Sequence, residues 1–142
     1  MGASSWLHAI YVFDIMRAMH RTQDSEYLRM AADLAAKGLG HTRPNPAVGA
    51  VIVKEDRVVG KGYHHRCGCA HAEVNAIRNA RRHGEDVQGA TIYVTLEPCS
   101  KPGRVGACTD AIAAAGIRRV VYAVADPNPK NRGKAKRALA KH

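Results

Sequence analysis

A chain of 142 residues, 46% hydrophobic and only 5% aromatic, is long enough for one buried core, built mainly from Ala, Val, Ile and Leu. Its formal charge of +10 gathers in residues 78–83, 117–120 and 130–142; this points to phosphate-bearing partners or, more plainly, to a solvated basic face. Four cysteines mixed with His and Glu in a chain of this length do not read as a secreted disulfide framework, and the first residues have no secretory pattern, so a reducing cytoplasm is the default.

Residues 1–24 read as an extension of uncertain structure. Its apolar stretch WLHAIYVFDIM is too short to span a bilayer and is broken by His8 and Asp14, and Met16 and Met19 leave open a later start codon. Asp24 or Ser25 is then placed to cap a helix through EYLRMAADLAAKGLG, with Leu28, Ala31, Ala32, Leu34 and Ala35 at helical spacing and Gly38 or Gly40 at its end. RPNP at 43–46 requires a turn or extended loop. AVGAVIVKEDRVVGKGYH reads as a hairpin about the polar break KEDR. A helix over AEVNAIRNARRHG follows, with Val74, Ile77 and Ala80 or Arg81 at helical intervals, then the β-branched strand ATIYVTLE. Thr109 and Asp110 are placed to cap a helix that stops at Gly116. RRVVYAVAD is a further strand, DPNP a loop, and the basic tail a short helix. Alternating strands and helices predict a layered α/β domain over 25–142, its later strands parallel.

Two motifs fall at helix starts near strand ends, where ligands bind in open α/β sheets. In CAHAEVNAI, His71 stands two positions before Glu73; in EPCSKPGRVGACTDAI, Cys99 and Cys108 frame a loop containing Gly and Pro. A lone His or Cys is usually a core or surface residue without chemistry, but one imidazole and two thiols make the mixed set that zinc prefers. Three protein ligands leave a fourth position for water, whose pKa the metal lowers to about 7. Glu73, not needed as a ligand, is placed to move protons. Zinc deaminases acting on bases carry H-x-E…P-C-x-x-C; here the second cysteine lies nine positions after the first rather than three.

That longer gap, with RPNPAVGAVIVKEDRVVGKGYH, HAEVNAI, TIYVTLEPCS, the pair GR at 103–104, CTDAI and DPNP, resembles the deaminase domain of bacterial riboflavin biosynthesis proteins over residues 25 to about 133. The resemblance implies a three-layer cytidine-deaminase-like α/β fold, a mixed central sheet flanked by helices. It also implies zinc on His71, Cys99 and Cys108, with Glu73 as the catalytic proton shuttle. The implied reaction is hydrolytic loss of an amino group from a phosphoribosylaminopyrimidine. Asn45 and His64 would contact the pyrimidine, and Arg104, with Lys101 or Ser100, would lie near the ribose phosphate.

The chain departs from that pattern in three places. Lys101 stands where the family usually has His, and Cys67 and Cys69 are extra thiols before His71, spare or part of a Cys-rich structural site. The chain also ends soon after DPNP, without the dinucleotide fingerprint of the family's reductase domain. The partner expected is a small phosphorylated pyrimidine, with neither membrane nor nucleic acid; a homo-oligomer and a separate reductase partner both remain open. Two rivals remain beside this reading: a deaminase acting on another pyrimidine nucleotide or a nucleic-acid base, and a non-catalytic zinc module using Cys67, Cys69, Cys99 and Cys108.

Overall fold

The computed structural model describes residues 18–101 and 106–142. The expected extension therefore lies largely outside the described residues, and so does Arg104. The elements run α1 (Ala18–Ala36), β1 (Gly49–Lys54), β2 (Arg57–Tyr63), α2 (Ala72–Arg82), β3 (Thr91–Leu96), α3 (Cys108–Ala114), β4 (Arg119–Val124) and α4 (Lys134–Leu139). The four strands form one mixed sheet in the order β2-β1-β3-β4. β1 is antiparallel to both neighbours, and β3 and β4 are parallel, as the intervening helix predicts. No helix among the described residues is long and apolar enough to cross a membrane.

Both faces of this sheet are covered, which is why its strands read as nearly continuous apolar runs rather than as alternations. Successive side chains point to opposite faces. Val51, Val53, Tyr93 and Val121 pack with Ala31 of α1, while Ala50, Ile52, Ile92, Val94 and Val120 pack with Ala72, Ala76, Ile77, Ile112 and Leu139 from α2, α3 and α4. The result is three layers. The hairpin turn is Glu55-Asp56, both residues with positive φ (52° and 59°), the backbone that suits the twist of two antiparallel strands.

Small residues set the position of α2. Ala72, Ala76 and Ala80 form a stripe along it, facing Gly60 and Gly62 of β2. A Cβ on Gly62 would lie 2.6 Å from the Ala72 carbonyl oxygen and closer still to the Ala76 nitrogen, and one on Gly60 would lie 2.6 Å from the Ala76 carbonyl oxygen. Backbone thus rests on backbone, and the helix that begins after His71 sits closer to β2 than any side chain at residues 60 or 62 would allow. The opposite end of α2 is tied to the hairpin tip by exposed pairs, Arg57 with Glu85 and Lys54 with Asp86.

Two expected caps are corrected. The first helix already runs from Ala18, so neither Asp24 nor Ser25 begins it. The Asp24 carboxylate instead accepts from Arg119 at 2.7 and 3.0 Å and from the Tyr93 hydroxyl at 2.8 Å, tethering α1 to β3 and β4. At α3 the N-cap is Ala107, with Cys108 as the first helical residue. Thr109 and Asp110 lie inside the first turn, and the Thr109 hydroxyl is buried without a partner among the described residues.

Candidate functional site

Strand directions gather the chemistry at one end of the sheet. Gly49, which opens β1, pairs with Tyr63, which closes β2, and Ala50 pairs with Val94 near the end of β3. The loop before β1 carries Asn45, the loop after β2 leads to His71, and the loop after β3 carries Cys99. All three therefore meet at the same edge. α2 and α3 both start there and direct the positive ends of their dipoles toward it.

His71 is the N-cap of α2 in extended backbone, and its carbonyl accepts the first helical bond, from Asn75 N. Its Nδ1 lies 3.2 Å from Cys108 Sγ and 3.6 Å from Cys99 Sγ, and the three donor atoms all lie within 4.8 Å of one another. A tetrahedral zinc with bonds of about 2.0–2.3 Å separates its donors by roughly 3.6 Å. The arrangement fits that ion in both chemistry and spacing. Cys99 also begins α3: its Sγ accepts from Cys108 N at 3.2 Å and its carbonyl from Thr109 N at 3.1 Å. A cysteine therefore fills the capping role expected of Thr109 and Asp110.

The electrostatics fit a cation as well. The Cys108 thiol beside it holds Cys99 well below the usual thiol range, aided by His71 and opposed by burial. Cys108 is pushed far up by Cys99, by burial and by Glu73. His71 is raised, first by its bond to Cys99. Two close thiols whose ionisation each opposes the other's suit a divalent cation, beside which both deprotonate outright.

Glu73, in the first turn of α2, is 3% exposed, and its Oε2 has no hydrogen-bond partner among the described residues. Burial raises its carboxyl above the ordinary range, against the lowering effect of the Cys108 thiol. A buried, unpaired carboxylate oxygen is costly unless something else uses it. It lies beside the donor set, against Cys108.

The other expected residues divide. Asn45 is half-buried at the site, its Nδ2 3.3 Å from His64 Nε2, and His64 is 2% exposed. Ser100 is half-buried and Lys101 exposed in the loop after Cys99. Cys67 and Cys69 are exposed and stand outside the donor cluster, which removes the four-cysteine module.

Sequence reasoning missed three residues. Asn75 donates to the Tyr63 and Ala70 carbonyls at 2.9 and 3.1 Å, fixing the loop that carries His71. Thr42 holds the backbone of Asn45, donating to its carbonyl at 2.8 Å. Glu97, 4% exposed, accepts from Asp126 N at 2.9 Å and Ala135 N at 3.3 Å, clamping the tail to the loop that bears Cys99. A carboxylate just before Pro-Cys was the only available signal for the last of these. Glu97→Ala strands two backbone donors, and an unmatched buried donor costs about 1–3 kcal/mol; equilibrium urea unfolding should show a loss of that order.

Residues 21–124 match the family described as the cytidine and deoxycytidylate deaminase zinc-binding region. The chain is 54% identical over 116 residues to the riboflavin biosynthesis protein RibD of Aquifex aeolicus, covering 82% of this chain and 32% of that protein. It is 54% identical over 112 residues to RibD of Escherichia coli, covering 79% and 30%. A crystal structure of a Thermotoga maritima diaminohydroxyphosphoribosylaminopyrimidine deaminase/5-amino-6-(5-phosphoribosylamino)uracil reductase superposes with a TM-score of 0.81 at 45% identity, over 87% of this chain and 35% of that one. The chain thus spans about a third of the length of the curated relatives it matches. The match contains all of the His71, Glu73, Cys99 and Cys108 cluster, on the expected three-layer fold: this chain belongs to the cytidine and deoxycytidylate deaminase family and carries its zinc-binding region.

Proposed function

We propose that residues 25–142 form a zinc-dependent deaminase domain acting on 2,5-diamino-6-(5-phosphoribosylamino)pyrimidin-4-one, replacing its amino group with oxygen to give the corresponding aminouracil. The observation that carries the proposal is a His/Cys/Cys donor set beside a buried carboxylate with an unpaired oxygen. Likeness to the RibD proteins supplies the substrate class. The reduction named with deamination for the Thermotoga protein is no part of the proposal.

His71 Nδ1, Cys99 Sγ and Cys108 Sγ would hold the zinc, which when bound would supply a water of lowered pKa. Glu73 takes a proton from the attacking water at Oε2 and delivers it to the ring nitrogen beside the attacked carbon. It then takes the second proton from the newly attached hydroxyl and gives it to the departing amine as the carbon–nitrogen bond breaks, leaving a carbonyl and ammonia. Its raised pKa suits a group that must accept and release protons near neutral pH. The N-termini of α2 and α3 favour the negative charge collected on the thiolates. Asn45 meets the ring edge, and Ser100, Lys101 and Arg104 take the phosphoribosyl end, where a guanidinium binds phosphate bidentately. The domain works in the cytoplasm on this small substrate.

The test is ammonia release from the phosphorylated diaminopyrimidine by zinc-loaded protein, with cytidine, dCMP and RNA as controls. Release from the diaminopyrimidine alone supports the proposal, and release from a control alone overturns it. Elemental analysis should find one zinc per chain, lost in Cys99→Ser and Cys108→Ser and kept in Cys67→Ser and Cys69→Ser. Zinc unchanged in both of the first pair removes the site.

A further inference from the structure

We infer that His64 and Cys67 act as positioning residues that turn both N–H groups of Asn45 away from the substrate, so that Asn45 reads a ring-edge donor through Oδ1 alone. The inference rests on the deamination reading above and deepens it, because it states what the ring must offer at residue 45.

The argument begins with the Ala70 carbonyl, which can only accept. His64 Nδ1 lies 3.1 Å from it, so in the neutral ring the proton sits on Nδ1 and Nε2 is left as an acceptor. Asn45 Nδ2 lies 3.3 Å from that Nε2. The reverse orientation of the amide would set its carbonyl oxygen against the Nε2 lone pair, so a backbone carbonyl dictates the orientation of a side chain at the site. Nδ2 also lies 3.8 Å from Cys67 Sγ, a weak acceptor within reach of the second N–H. Oδ1 has no partner among the described residues.

The surroundings hold this arrangement in place. His64 is 2% exposed and its ring meets the His71 ring edge-on at 5.1 Å, which ties the amide to the donor set. Asn45 N donates to the Thr42 carbonyl and Thr42 Oγ1 to the Asn45 carbonyl, each at 2.8 Å, so the backbone is fixed from both sides. With both ring nitrogens engaged, His64 does not itself touch the substrate, which revises the contact expected of it. Cys67, one of the thiols that departs from the family pattern, acquires a role. A ring edge presenting an amino group or a ring N–H is accepted at residue 45, and one presenting a carbonyl oxygen there meets an acceptor and is refused.

The test has a spectroscopic arm and a kinetic arm. In zinc-loaded, ¹⁵N-labelled protein, long-range ¹H–¹⁵N spectra should place the His64 proton on Nδ1. One of the two Asn45 amide protons should shift in Cys67→Ala and return in Cys67→Ser, whose hydroxyl still accepts. With the phosphorylated diaminopyrimidine, His64→Phe and Asn45→Ala should each raise KM ~10-fold with kcat nearly unchanged, and the double variant should match Asn45→Ala alone, since one residue acts through the other. A His64 proton on Nε2, or KM effects that multiply, overturns the inference. If turnover is absent while the spectra show the Nδ1 proton and the Cys67-sensitive amide, the deamination reading fails and the positioning stands. If His64→Phe does not fold, the wild-type spectrum and the Cys67 pair decide.

Discussion

Glu73→Gln should retain zinc and fold yet lose turnover by ~10²–10⁴-fold, the range a general acid–base group supplies, and toward its upper end because one carboxylate here moves several protons. The amide matches the carboxylate in shape and can neither take a proton from water nor give one to a leaving amine. The change should not cost stability. Burial raises the folded-state pKa of Glu73, so the protonated form is favoured in the fold and stability falls as pH rises through that pKa. Glutamine has no such fall, and metal-free Glu73→Gln should melt no lower than wild type at neutral pH. Single-turnover kinetics with zinc analysis and thermal melts are the measurements. A variant within a fewfold of wild type would mean that Glu73 does not carry the protons.

Gly62→Ala should have the largest structural effect, although Gly62 carries no chemistry of its own. The added methyl would press on the Ala72 carbonyl and the Ala76 nitrogen, and neither is a side chain that can turn aside. α2 must lift, carrying His71 and Glu73 with it. Overpacking typically costs 1–3 kcal/mol, and against backbone the upper end applies, roughly 3 kcal/mol out of the 5–15 kcal/mol that holds a typical domain. Zinc retention should fall with it. Urea unfolding with and without chelator, beside zinc content, checks both, and a variant with wild-type stability and zinc would show that α2 is not seated on this strand as described.

These effects indicate which parts of the molecule can be read in a sequence. The hairpin was legible because KEDR interrupts two β-rich runs, and α2 because Val74, Ile77 and Ala80 or Arg81 recur at helical intervals before Gly84. The donor set was legible because zinc's preference for nitrogen and sulfur makes a His and two Cys at helix starts informative even when 28 and 37 positions separate them. The misread residues were displaced by partners outside their own helix turn. Asp24 looked like a cap because Asp favours caps, but Arg119, 95 positions away, claims it. Thr109 and Asp110 looked like caps for the same reason, and the Cys99 backbone and sulfur had already taken that place. Local propensity competes with tertiary partners, and polar side chains near a site are where the tertiary partners win.

The two ends of the sheet have separate duties. Every loop bearing chemistry leaves from one end, while the other holds the two-residue hairpin turn and the exposed ion pairs that join it to the segment after α2. Changes at distant, unshared sites add rather than couple. Substitutions around Glu55, Asp56 and Glu85 can therefore adjust thermal tolerance or carry a surface label or tether while the reacting end keeps its geometry, so the molecule can adapt to a new temperature or attachment without renegotiating its chemistry.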